Sequence, residues 1–70
     1  MTSASTNLLR RSEVERRTGL SRSSIYRLLE FNRFPRHIRI GDRTVAWVEG
    51  EIDGFISARI AERDRQRSAA

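Results

Sequence analysis

The chain has 70 residues, with fourteen basic side chains against nine acidic ones, a formal net charge of +5, 37% hydrophobic residues and no cysteine. A chain this short makes one small domain that buries only about 60% of its unfolded surface, so a second core is excluded. The missing cysteines exclude a disulfide scaffold and thiolate metal ligation; no apolar run matches a membrane span or signal-peptide core; and the positive balance favours a polyanionic partner.

All fourteen cations are arginine. The planar guanidinium fork grips phosphate or the O6/N7 edge of guanine at two points, where lysine offers a point charge. A GC-rich genome accounts for the same bias equally well. The charge is unevenly spread: Arg10 to Arg43 holds ten arginines and four acids, net +6, whereas Thr44 to Ala70 holds four arginines and five acids, net −1.

Met1 to Asn7 is small, polar and aperiodic, and is expected to be a disordered tail. Leu8-Leu9-Arg10 is too short for a helix and reads as a brief strand pairing with a later segment. Ser12 with Glu15 has the spacing of a capping box, which predicts a first helix over Glu13 to Thr18 that gives Val14 to the core. Gly19 then caps its C-terminus.

Ser21 is the expected N-cap of a second helix, Arg22 to Phe31, with Leu20 and Ile25 at the spacing of a hydrophobic staple. Ile25, Leu28 and Leu29 make its inward stripe, leaving Arg22, Ser23, Tyr26, Arg27 and Glu30 to face outward. Asn32 and Pro35 end it. Two short helices around a tight turn, one with a basic outer face, read as a helix-turn-helix.

From Arg36 to Trp47 the period changes to two. Ile38 and Ile40 alternate with Arg39, Gly41-Asp42 marks a turn, and Val45 and Trp47 alternate with Thr44 and Ala46, so the segment reads as a β-hairpin. A two-residue loop pairs Ile38 with Val45 and a four-residue loop pairs Ile40 with Val45. Either buries all four apolar residues together, whereas a three-residue loop sets the isoleucines opposite outward residues. Arg39 is thus expected outward and Arg43 near the tip, as on a wing. A third helix begins near Val48 or Glu49, with Val48, Ile52, Phe55, Ile56 and Ile60 as its apolar stripe. Acids at its start and arginines at its end complement the helix dipole, and those acids place it away from a phosphate backbone. Gln66 to Ala70 is expected to fray. The fold class is therefore α+β, a small winged helix-turn-helix with three helices, a hairpin wing and a short N-terminal strand, spanning residues 8–65.

Several segments together resemble the AlpA-type prophage regulators, which are similar to phage excisionases and to the DNA-binding domain of MerR regulators. They are Leu8-Leu9-Arg10, the run TGLSRSSIYRL from Thr18 to Leu28, Phe34-Pro35-Arg36, Ile40-Gly41, Arg43 to Trp47, and Glu51-Ile52-Asp53 leading to Ile56. The resemblance covers Leu8 to Ile60. It implies a recognition helix in the major groove, a wing on the backbone or adjacent minor groove, and a role in transcription or excision of a mobile element. Asn32-Arg33 stands where such proteins often carry glycine, and Phe55 where they often carry tryptophan; His37 and Asp42 match no position in the pattern.

The candidate DNA-binding residues are Arg22, Ser23, Ser24, Tyr26, Arg27, Arg39 and Arg43. Recognition helices present N-terminal residues to base edges, while half or more of protein–DNA hydrogen bonds go to phosphate and sugar. A solvated helix face is the plain alternative for Arg22, Ser23 and Arg27, packing for Tyr26, and a charge pair with Asp42 for Arg43. Trp47 reads as core. No Ser-His-Asp set, metal cluster or glycine-rich phosphate loop is present, so an enzyme, a metal site and a cofactor are not expected. The expected partner is double-stranded DNA, bound as a dimer or cooperatively because one module of this size is a small reader, with a phage integrase as a second partner and no membrane. The expected location is the cytoplasm, at the nucleoid. The competing reading is a protein-interaction module whose basic face docks a recombinase, repressor or polymerase subunit.

Overall fold

A computed structural model describes residues 7–69; the proposed tail before Asn7 lies outside the described residues. The element order is β1 (Leu8–Leu9), α1 (Arg11–Thr18), α2 (Arg22–Glu30), β2 (Ile38–Arg39), β3 (Val45–Val48) and α3 (Glu49–Ala69). The sheet order is β1-β3-β2, antiparallel throughout. Three helices on a small antiparallel sheet with a hairpin wing make an α+β winged helix-turn-helix.

Leucine 9 pairs with Trp47 and Leu8 with Val48, so the N-terminal strand is the partner that leaves those leucines in a sheet. Asn7 is anchored rather than part of a loose tail. Its carbonyl accepts from the Glu49 amide at 2.8 Å and its side-chain amide donates to the Glu49 carboxylate at 3.0 Å.

The chain enters α1 two residues earlier than the capping-box spacing indicates. Arg10, extended at φ −76° and ψ 163°, is the N-cap and makes no side-chain cap bond. Strand pairing decides this: β1 ends at Leu9, so the turn must follow at once and Ser12 falls inside the first helical turn. Glu15, no longer needed at the cap, takes the Arg11 guanidinium at 3.0 Å one turn away. The helix ends as its sequence dictates. Gly19 is left-handed at φ 75°, and its amide donates to the Glu15 carbonyl at 2.8 Å.

The second helix begins at Ser21, whose hydroxyl accepts from the Ser24 amide at 3.1 Å. Its end is a Schellman closure. Asn32 takes φ 57°, the Arg33 amide donates to the Leu28 carbonyl at 2.8 Å, and the Asn32 amide donates to that of Leu29 at 3.1 Å. Phe31 is the C-cap rather than the last helical residue, and its ring is 66% exposed.

The core gathers Leu9, Val14, Ile25, Leu29, Phe34, Trp47 and Ile52, with Leu20, Leu28, Phe55 and Ile56 packed against it. Val14, Ile25, Trp47 and Ile52 are fully buried. The indole nitrogen of Trp47 donates to the Pro35 carbonyl at 2.8 Å, which satisfies its one polar group and fixes the connector between α2 and β2.

The hairpin register corrects the sequence expectation. Ile38 pairs with Ala46, Arg39 with Val45, and the Ile40 amide donates to the Thr44 carbonyl at 2.9 Å, so the loop is the three residues Gly41, Asp42 and Arg43. Ile38 and Ile40 remain 41% and 48% exposed on the outer face. Opposed residues share a face, so Arg39 lies with Val45 on the side of the sheet that carries the helices. The physical reason is occupancy: Phe34 and His37 already stand edge-on to Trp47 at 6.3 and 5.3 Å, filling the space the isoleucines would have needed.

The third helix starts at Glu49 and buries Ile52, with Phe55 and Ile56 half-buried, while Ile60 is 47% exposed. It runs through Ala69, past the point where fraying was expected. No helix among the described residues is long and apolar enough to cross a membrane.

Candidate nucleic-acid interface

The second helix is seated by its Ser21 cap and by burial of Ile25 and Leu29, and this fixes which residues point away from the core. Arg22, Ser23 and Arg27 are exposed, and Tyr26 is half-buried. Ser23, Tyr26 and Arg27 line an open groove of about 710 Å³ whose far wall is the connector, through Arg36 and His37; Glu30 and Leu29 complete it. The Arg22 guanidinium lies 5.9 Å from the Tyr26 ring, and His37 stands edge-on to that ring at 6.4 Å.

Ser24 is differently placed from its neighbours. Its amide donates to the Ser21 hydroxyl, which in turn donates to the Ser24 hydroxyl at 3.1 Å, so it belongs to the helix cap. Arg39 and Arg43 are both exposed on the hairpin, Arg43 in its loop. The structure thus brings Ser23, Tyr26 and Arg27 into one groove, sets Arg22 beside it, and places Arg39 and Arg43 separately on the wing.

Arg36 and His37 were missed as candidates. A lone histidine and one more arginine in a Pro-containing connector carry no periodic signal. Only the Trp47–Pro35 hydrogen bond and the ring contacts bring them over α2. Arg36 is further held by Asn32, whose side-chain carbonyl accepts from it at 2.6 Å. Residues i and i+4 around the helix end were the one readable hint.

Ion pairing separates the arginines into two groups. Glu13 takes both Arg16 and, at 2.9 Å, Arg17; Arg17 also reaches Glu49 at 2.9 Å. The remaining pairs are Arg11–Glu15, Arg59–Glu62 and Arg63–Asp64. Among the described residues, every ion pair therefore lies within α1, within α3 or between them. Among the described residues, Arg22, Arg27, Arg36, Arg39 and Arg43 have no acid within 4 Å. The hydrogen bonds from Arg16 and then Arg17 lower the Glu13 carboxyl to a pKa of about 2, and those from Asn7 and Arg17 lower that of Glu49. Two of the four acids of the basic half, Glu13 and Glu15, are spent on α1; Glu30 and Asp42 take no arginine within 4 Å among the described residues, and the cations of α2, the connector and the wing stay available for an external anion. No group of three or more His, Cys, Asp or Glu side chains among the described residues is placed to hold a metal ion.

A capped second helix with a basic outer face, a hairpin carrying free arginines and a third helix behind define a small winged helix-turn-helix. Residues 7–60 match the family described as prophage CP4-57 regulatory protein (AlpA), and the chain belongs to that family. It is also 42% identical over 57 residues to the uncharacterized protein ORF88 of Enterobacteria phage P4, an alignment covering 81% of this chain and 65% of that protein. The chain therefore spans just under two thirds of that relative's length.

Proposed function

We propose that the protein binds double-stranded DNA in a sequence-dependent manner, with α2 in the major groove and the hairpin against the backbone, and regulates transcription of a prophage or related mobile element. The observation that carries this reading is the segregation of ion pairs, which among the described residues leaves the arginines of α2, the connector and the wing without an acid within 4 Å. Ser23, Arg27 and Arg22 supply hydrogen-bond donors for base edges or phosphates, and Tyr26 supplies a hydroxyl next to them. The acidic start of α3 is directed away from DNA in this arrangement. Membership of a prophage regulatory family supports the same role.

A second reading is an excisionase, which bends an attachment site and touches an integrase. The partly exposed Leu8, Ile38 and Ile40 favour it, because they give the sheet a side suited to protein contact. Selection of bound sites in vitro, followed by mapping to promoters or attachment sites, separates the two.

The direct test is a gel shift with random duplex at low salt, repeated with Arg27→Ala over a salt series. The parent should retard DNA, and the variant should bind more weakly. A parent that leaves duplex DNA unshifted moves the protein to the class of protein-interaction modules.

A further inference from the structure

The recognition groove does not account for the basic residues at the start of the domain. Arg10, Arg11 and Ser12 meet Arg43 and Val45 around a cleft of about 170 Å³. Three arginines from segments some thirty residues apart in the chain line it together with Ser12 and Val45. Like charges brought together at a surface repel unless an anion joins them. Arg10 and Arg43 have no acid within 4 Å among the described residues, and Arg11 engages Glu15 through Nε, so its two terminal nitrogens are not used in that pair.

We propose that this cleft is a dedicated phosphodiester clamp for the DNA backbone, separate from the groove beside α2. The inference rests on the DNA-binding reading and adds a site to it. The ligand is a single phosphate oxygen pair, held by the forks of Arg10 and Arg43, with the Ser12 hydroxyl as a further donor. Geometry within the fold favours this assignment over general solubilising charge. The three-residue hairpin loop is what carries Arg43 to the α1 side, and the Leu9–Trp47 pairing is what holds Arg10 opposite it. Neither placement is set by the chain locally. A clamp built from β1, α1 and the wing fixes the domain's angle on the duplex, which α2 alone does not.

The test measures binding of the full chain to a short random duplex over a salt series, for the parent, Arg10→Gln, Arg43→Gln and the double variant. One phosphate contact contributes about 0.9 to the slope of log K against log salt on B-DNA. Two arginines on the same phosphate predict that either single variant lowers the slope by about that amount and that the double variant lowers it scarcely further. Circular dichroism checks that the variants are folded, and Arg10→Lys, which keeps charge but loses the fork, should retain most of the slope. A parent slope in both single variants, with the parent still binding DNA, overturns the clamp and leaves the DNA-binding reading standing. Fully additive losses in the double variant overturn the shared phosphate. No binding by the parent overturns both. In amide-resolved NMR, Arg11 and Ser12 should shift with duplex and not with inorganic phosphate; equal shifts with inorganic phosphate assign the cleft to free anions and overturn the backbone role.

Discussion

Trp47 links the core to the candidate interface, and Trp47→Phe tests that link. The indole is fully buried, donates to the Pro35 carbonyl at 2.8 Å, and stacks edge-on against Phe34 and His37. Truncating a buried tryptophan to alanine costs about 3–5 kcal/mol, and phenylalanine retains most of the ring, so the packing loss is about 1 kcal/mol. Leaving a partly buried carbonyl without its donor adds about 1–2 kcal/mol. The total of about 2–3 kcal/mol is a large share of the roughly 4–10 kcal/mol that a domain of this length has. At about 4–8 °C per kcal/mol for a domain this small, the melting temperature should fall by about 8–24 °C. Thermal circular dichroism is the assay, since the variant has no tryptophan to report by fluorescence. The amide signals of Arg36 and His37 should move as well, because the connector loses its anchor. A fall below about 3 °C, with those signals unmoved, would refute the claim that the indole bond holds the connector over α2.

Three other outcomes are expected. Ser21→Ala removes the cap of α2 and should destabilise the domain by about 1 kcal/mol in denaturant unfolding, whereas Ser21→Asp should restore most of it. Ile40→Ala should cost no more than about 1 kcal/mol, because the side chain is half exposed just beyond the edge strand β2; a loss of about 2–5 kcal/mol belongs to a buried isoleucine and would restore one of the two registers that the sequence pattern allowed. Glu13 has its carboxyl lowered from 4.5 to about 2 by Arg16 and Arg17. A depressed pKa stabilises the fold above the unfolded value and loses that contribution as pH falls toward the folded one. The melting temperatures of the parent and Glu13→Gln should therefore differ at neutral pH and converge between 4.5 and about 2. A gap of constant size across that window would show that the carboxylate's ion pairs do not act on stability.

Much of the architecture was legible because it is decided within a few residues. Gly19 and Asn32 stop helices by adopting left-handed angles that other residues avoid, Ser21 caps α2 with its own hydroxyl, and the Ile25–Leu29 stripe sets which face of α2 is outward. The local rule failed at Ser12. A capping-box spacing was present, but pairing of Leu9 with Trp47 forced the turn earlier, and a sheet bond formed across the chain outweighed a cap worth about 1 kcal/mol.

The sequence by itself determined the helix-turn-helix, the three helices, the existence of the hairpin and the basic character of α2, since periodicity, caps and charge are properties of neighbouring residues. The tertiary structure alone decided the hairpin register, the position of Arg36 and His37 across from Tyr26, and the pairing of Arg17 with Glu49. Each depends on what already occupies the space beside a residue. Phe34 and His37 stand against Trp47, so the isoleucines lie outward and Arg39, still exposed, shares the face of Val45. Glu49, at the start of α3, comes close enough to α1 to hold Arg17, which Glu13 already reaches within α1 itself; among the described residues the arginines of α2 and the wing are left without an acid.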